Sequence, residues 1–386
     1  MARFAELPLS AQTLYAQVFD AAAAAEVSRS IANIRGGSIA TKTVKGATYF
    51  YFQYRDVNGA VRQIYLGPGS DRLRALIDRA RAPSPRPVLA DFARGAIGLG
   101  CAPVLRRHFR VIERLGEYGF FRAGGVLVGT HAFLGYGNML GVRWGDADRT
   151  QDVVLAHAGK NVAVALSANV EVGTHGAIES LEMGLIPIAG RGGKAGATYL
   201  NPADPELRLD FLTTLHRGGQ KPIEHARLGV TLQPLPFLEY VLEQVTQLAL
   251  LSEGGAVVVN VPAPERFALH KLVVHGERGA RYAAKGTKDL ARAAALLEVL
   301  KARSPRDVVA AWRDLVARGP GWRKRATAGL EALDAYAPEL KVGDWLGDAR
   351  KPSLTAREPG LPSRSPRRAT GPARARARRP RGSSDD

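Results

Sequence analysis

Cysteine is nearly missing from this chain. Cys101 stands alone, so neither a disulfide framework nor a cysteine-based zinc site can be built, which fits a reducing compartment. No apolar run approaches the ~18 residues that a bilayer span requires. The opening MARFAELPLSAQ lacks the charged-then-apolar layout of a secretory signal. The expectation is a cytoplasmic protein with no membrane association. Acidic residues are in deficit as well: 36 Asp and Glu face 54 Lys and Arg, a net charge of +18. The segment 351–386 holds ten basic and three acidic residues and so carries +7 of that, leaving +11 on the rest. Such a balance favours anionic partners, nucleotides and nucleic acid among them, although it bears on encounter and not on fold.

What is present is globular in composition. With 46% hydrophobic and 23% charged residues over 386 positions, the chain can bury a sizeable core, and two or three domains is the length expectation. The stretch LSAQTLYAQVFDAAAAAEVSRSIANI places Leu14, Val18, Ala22, Val27 and Ile31 at roughly helical spacing. An alternating stretch follows, SIATKTVKGATYFYFQYRDVNGAVRQIYLG, in which Asn58-Gly59 marks a hairpin turn. An antiparallel ribbon is expected over about 38–67. Two readings of its aromatics stay open: stacking on bases among Lys42, Lys45, Arg55 and Arg62, or packing on a neighbouring helix.

Beyond Pro83-Ser84-Pro85, RGAIGLGCAPVLRRHFRVIERLGEYGF reads as a helical stretch closing before Phe120. Strands and helices then mix to about residue 264, and the pattern turns helical after that. The expected division is a helix and β-ribbon module over 1–85, an αβ core over 86–264, a helical region over 265–348 and a basic tail over 349–386. The tail is Pro, Ser and Arg with few apolar residues, a composition expected to stay disordered.

Three segments of the core carry the chemistry. In Val126-Leu127-Val128-Gly129-Thr130 an apolar strand runs into a glycine and a small hydroxyl residue at a helix start. There backbone N–H groups and the positive end of the helix dipole can meet a phosphate. In Asp152-Val153-Val154-Leu155 and in Leu207-Arg208-Leu209-Asp210-Phe211 an apolar strand carries an acid. An acid on such a strand is costly to bury unless it is paired or bound to a cation. A shared cation and two solvated strand ends are both consistent with that pattern.

In this order the segments resemble the nucleotidyltransferase fold of polymerase-beta-like enzymes. VLVGTHAFLGYGNMLGVRWGDADRTQDVVLA is similar to the bacterial branch that includes minimal nucleotidyltransferases and abortive-infection toxin enzymes. VNVPAPERFALHKLVV and KGTKDLARAAALLEVL resemble two helices further along that branch, the first carrying His270-Lys271 and the second Lys285, Lys288 and Asp289. The resemblance implies an α/β (α+β) fold: a nucleotidyltransferase-fold mixed-sheet core, flanked by the helix-plus-ribbon module and the helical C-terminal region. It implies Mg²⁺-dependent transfer of a nucleotide from an NTP to an acceptor hydroxyl on RNA or a protein. Asp152 and Asp210 would be the catalytic, metal-binding acids. Gly129, Thr130, Lys271, Lys285 and Lys288 would hold the nucleotide. One departure stands out. The family strand carries acids at i and i+2, on one face about 6.7 Å apart, and here the second position is Val154. Asp146, Asp148 and Glu171 are candidates to replace the lost acid. The alternative left open is a degenerate, catalytically impaired fold that binds nucleotide or nucleic acid without turnover.

Overall fold

A computed structural model describes residues 3–33, 38–44, 46–55, 61–71, 73–75, 77, 86–145, 152–157, 172–189, 195–215, 219–226, 228–277 and 283–348. Asp146, Asp148, Glu171, the Asn58-Gly59 turn and the basic tail lie outside the described residues. In chain order the elements begin with β1 (Phe4–Glu6), α1 (Leu9–Asn33), β2 (Ser38–Val44), β3 (Ala47–Arg55) and β4 (Val61–Pro68). They continue with α2 (Arg86–Gly98), α3 (Arg106–Glu117), β5 (Val126–Val128), α4 (Gly129–Met139), β6 (Val142–Trp144) and β7 (Asp152–His157). Next come α5 (Thr174–Glu179), β8 (Ile186–Ala189), β9 (Ala195–Asn201), β10 (Asp204–Thr214), β11 (Ile223–His225) and β12 (Val230–Leu235). The last are α6 (Leu238–Leu242), β13 (Val245–Ser252), β14 (Gly255–Pro262), α7 (Pro264–Glu277), α8 (Ala283–Arg303), α9 (Pro305–Ala317), α10 (Pro320–Tyr336) and α11 (Val342–Asp348). The fold is α+β, as the sequence implied. Among the described residues no helix is long and apolar enough to cross a membrane.

One expectation is corrected. The helical stretch expected up to Phe120 is two helices, α2 and α3, separated at 99–105. Gly100 takes φ +111°, outside helical space, and Pro103, which has no N–H for a helix to use, forms a β-bridge with Leu251 instead.

The central sheet is mixed, with seven strands among the described residues. β10 is its long middle strand. It runs parallel to β7 on one side, and on the other it pairs antiparallel with β9 and then parallel with β12. β5 closes the near edge, antiparallel to β7. Strand alternation sorts the side chains: Leu127, Val153, Leu155, Leu209 and Phe211 are fully buried on one face. The other face carries Val128, Val154 and Asp210, and it is this face that bears the candidate site.

α1 packs through Ala11, Tyr15, Val18 and Ala22, an i, i+4, i+7, i+11 stripe, on Ala249, Leu251, Ala256 and Val258 of the β13–β14 hairpin. The C-terminal helices share the main core with the sheet. α10 presses its Gly329 onto α7 so closely that a Cβ there would lie 2.1 Å from the Leu272 carbonyl oxygen. That contact seals one side of α7 and leaves its opposite side for the site.

Candidate active site

At the junction of β5 and α4, Gly129 has φ +71°, a left-handed conformation that a side chain resists. The turn starts α4, whose first N–H groups have no partner within the helix. It opens on a cleft of about 430 Å³ lined by Gly129, Thr130, Val154, Lys271, Lys285 and Lys288 together with apolar residues of β5, β10, β12 and α6. This volume lies in the usual range of small-molecule sites. All five nucleotide-binding residues expected from sequence are thus brought to one cleft. Two helix faces wall it. Phe267, His270, Lys271 and Val274 recur at i, i+3, i+4, i+7 on α7, and Lys285, Lys288, Asp289 and Arg292 do the same on α8.

Two residues of this wall, Asp289 and Arg292, were not picked out as site residues from sequence. The Asp289 carboxylate, 4% exposed, pairs with Lys271 Nζ at 3.0 Å, and the Lys271 side chain is itself only 13% exposed. Lys271 also lies over the Phe267 ring at 5.2 Å. Arg292 Nη2 donates to Thr130 Oγ1 at 2.7 Å, tying α8 to the first turn of α4. The signal was the helical period itself: Lys285, Lys288 and Arg292 sit three and four apart, so an arginine shares the face with the two lysines.

The acids stand on neighbouring strands. In the β7–β10 register Asp152 pairs with Arg208, and Val154 pairs with Asp210. Val154 also pairs with Val128 across the β5 edge. Asp152, Val154, Arg208 and Asp210 therefore share one sheet face. Asp152 and Asp210 are diagonal neighbours there, about 7–8 Å apart, whereas Val154 faces Asp210 directly. Asp210 Oδ1 accepts hydrogen bonds from Thr198 Oγ1 at 2.7 Å and from Arg208 Nε and Nη2 at 3.0 and 2.9 Å. Arg208 precedes Asp210 by two, so strand geometry alone sets them side by side. Asp210 is 18% exposed and its charge is offset by its own strand. Among the described residues no group of three or more His, Cys, Asp or Glu is placed to hold a metal ion.

Directly behind Thr130 lies a pair that the sequence did not disclose. His108 Nδ1 and His131 Nε2 are 3.0 Å apart, and both rings are buried. Among the described residues neither outer ring nitrogen, His108 Nε2 or His131 Nδ1, has a hydrogen-bond partner. Burial, with Arg107 adding, pushes His108 down to about 4. Burial, with His108 and Arg292 adding, pushes His131 down to about 3. At neutral pH both rings are uncharged, one donating to the other.

A family model described as nucleotidyltransferase matches residues 106–318, more than half of the chain. The chain belongs to this nucleotidyltransferase family. The match begins at α3 and ends after α9, so it contains the Gly129 turn, both acid-bearing strands and both cationic helix faces. Membership implies nucleotidyl transfer with an NTP as donor. No curated protein and no solved structure matches the chain. In this nucleotidyltransferase the ribbon formed by β2, β3 and β4 lies before the matched residues.

Proposed function

We propose that the cleft binds the triphosphate of an NTP and that the protein transfers the nucleotide to an acceptor hydroxyl on RNA or another macromolecule. The observation that carries this reading is the convergence of a left-handed glycine turn and helix start with Lys271, Lys285 and Lys288 on one cleft. The β- and γ-phosphates would lie against the N–H groups at Gly129 and Thr130, and the lysines would offset their charge. In the reaction the acceptor oxygen attacks the α-phosphorus in line and forms the new P–O bond. The bond to the bridging oxygen breaks, pyrophosphate leaves, and the hydroxyl proton passes to Asp210 or to water. Such transfer depends mainly on positioning and charge neutralisation.

The donor set suits one metal ion. Among the described residues the hydrogen bonds to Asp210 fall on Oδ1, and Asp152 stands one rung along the same face. Mg²⁺ held by these two acids would supply counter-charge to the triphosphate. Val154 withholds the ligand that a second ion would need.

A second reading has its own support. Arg208 already neutralises Asp210, and Val154 is its apolar neighbour, an arrangement that suits nucleotide binding without turnover. Thermal shift with each NTP, with and without Mg²⁺, tests binding, and incubation with α-labelled NTP tests transfer. Stabilisation together with labelled acceptor supports the first reading; stabilisation alone supports the second. No stabilisation by any NTP contradicts both.

A further inference from the structure

The three-stranded sheet β2–β3–β4 has no part in the chemistry above, and none of its described residues lines the cleft. Its register places Lys42 beside Tyr49, and Tyr51 between Ala40 and Tyr65. Strand alternation puts Lys42, Val44, Tyr49, Tyr51, Gln53, Val61, Gln63 and Tyr65 on one face. Of these, Lys42, Val44, Val61, Gln63 and Tyr65 are exposed, so the face meets solvent. Tyr65 is 51% exposed. Its ring lies 5.4 Å from that of Tyr51 and 6.2 Å from that of Tyr49, tilted by 56° and 46°. Tilted rings do not stack on one another, so π-faces remain for other rings. Ala40 is too short to cover Tyr51 from its other side. Lys42 Nζ hangs over the Tyr51 ring at 4.9 Å and donates to Gln63 Oε1 at 2.6 Å, which fixes a cation at the centre of the aromatic patch.

A solvent-facing cluster of large aromatics marks an interaction surface, and the chemistry around this one selects the partner. By register Lys42 and Arg55 hold places on this face and Arg62, the partner of Tyr54, on the other. The segment 38–68 as a whole carries four basic residues, Lys42, Lys45, Arg55 and Arg62, against the single acid Asp56. Aromatic rings spaced along a basic sheet accept unstacked bases while cations meet the phosphates. A duplex, whose bases are already stacked, offers such rings nothing. We propose that the Tyr49–Tyr51–Tyr65 face is a docking surface for single-stranded nucleic acid. The proposal stands on the ribbon alone and does not require nucleotidyl transfer.

The test is fluorescence anisotropy of the full chain with a labelled oligouridylate of about 12 nucleotides and with the corresponding duplex, over a range of salt. The single strand should bind more tightly than the duplex. Tyr65→Ala should weaken single-strand binding about tenfold and leave the salt slope unchanged, because stacking releases no counterions. Tyr65→Phe keeps the ring and should bind like the parent. Lys42→Ala should make the slope shallower by about one phosphate contact. Since Tyr65 is half in solvent, its variants should melt with the parent, which separates lost binding from lost fold; Tyr51→Ala is the second probe of the patch. The proposal is overturned if the parent does not bind the oligouridylate, if duplex binds as tightly, or if Tyr65→Ala and Tyr51→Ala both stay within about twofold of the parent.

Discussion

Replacing Val154 with aspartate restores the second acid of the strand, and the structure sets the size of the effect. Val154 and Asp210 are register partners, so the new carboxylate would stand about 5 Å from the existing one, the usual Cβ separation of directly opposed residues. At an effective dielectric constant of about 20, two charges at that distance repel by roughly 3 kcal/mol. Arg208, already bound to Asp210 Oδ1, relieves part of that repulsion, and losing the half-buried valine adds about 1 kcal/mol back. In EDTA the variant should be destabilised by roughly 3 kcal/mol, a fall in Tm of about 6–12 °C for a domain of this size. Mg²⁺ at about a hundred times its Kd should return about 2.7 kcal/mol, bringing Tm nearly back to that of the parent. Transfer of label from NTP should rise with it. The assay is thermal melting of parent and Val154→Asp, with Mg²⁺ and with EDTA. An equal loss in both buffers would mean that this face is packed core and that the acids do not form a metal site.

Other expectations follow from particular contacts. His108 and His131 are held neutral well below their usual 6.5, so the unfolded chain binds more protons than the folded one as pH drops from 6.5 towards 4. Their contribution to stability is therefore complete above pH 6.5. It is lost over that window at up to about 1.4 kcal/mol per pH unit for each ring. The double variant His108→Phe/His131→Leu, which removes both polar partners together, should flatten the pH dependence of Tm there; an unchanged slope would place its source elsewhere. Gly329→Ala forces a Cβ against the Leu272 carbonyl and should cost about 1–3 kcal/mol in urea unfolding. A neutral result would show that α7 and α10 have room to separate. Lys285 and Lys288 are exposed, so Lys285→Ala/Lys288→Ala should leave Tm unchanged while weakening NTP binding severalfold and making it less sensitive to salt; unchanged affinity would remove both from the triphosphate site.

The local signals were readable because they are local. The Gly129-Thr130 junction could be read from an apolar strand running into a helix, and the structure gives Gly129 the positive φ that such a turn demands. The pairing of Val154 with Asp210 could not be read, since register between strands more than fifty positions apart is set by tertiary packing. Arg208 is an intermediate case. Its i, i+2 spacing from Asp210 was visible, yet only the pairing of β10 with β7 shows that the arginine stands beside Asp152 as well. The period within α8 sets Asp289 and Arg292 on the face of Lys285 and Lys288, but their partners Lys271 and Thr130 depend on α8 lying against α7 and α4, which no period announces. The His108–His131 contact joins two helices through a buried hydrogen bond, and nothing in either segment alone points to it. The break at 99–105 was signalled by Gly100 and Pro103, but the apolar residues on both sides continued the helical pattern and masked it.

The most direct test of the account is a comparison of labels. The protein is incubated with Mg²⁺, a mixed RNA and protein acceptor pool, and NTP labelled at either the α- or the γ-phosphate; Asp210→Asn is run beside it. Nucleotidyl transfer in this cleft predicts an acceptor labelled from the α-position only, pyrophosphate released, and no label with Asp210→Asn. Label from the γ-position, or α-label that survives in Asp210→Asn, would contradict it.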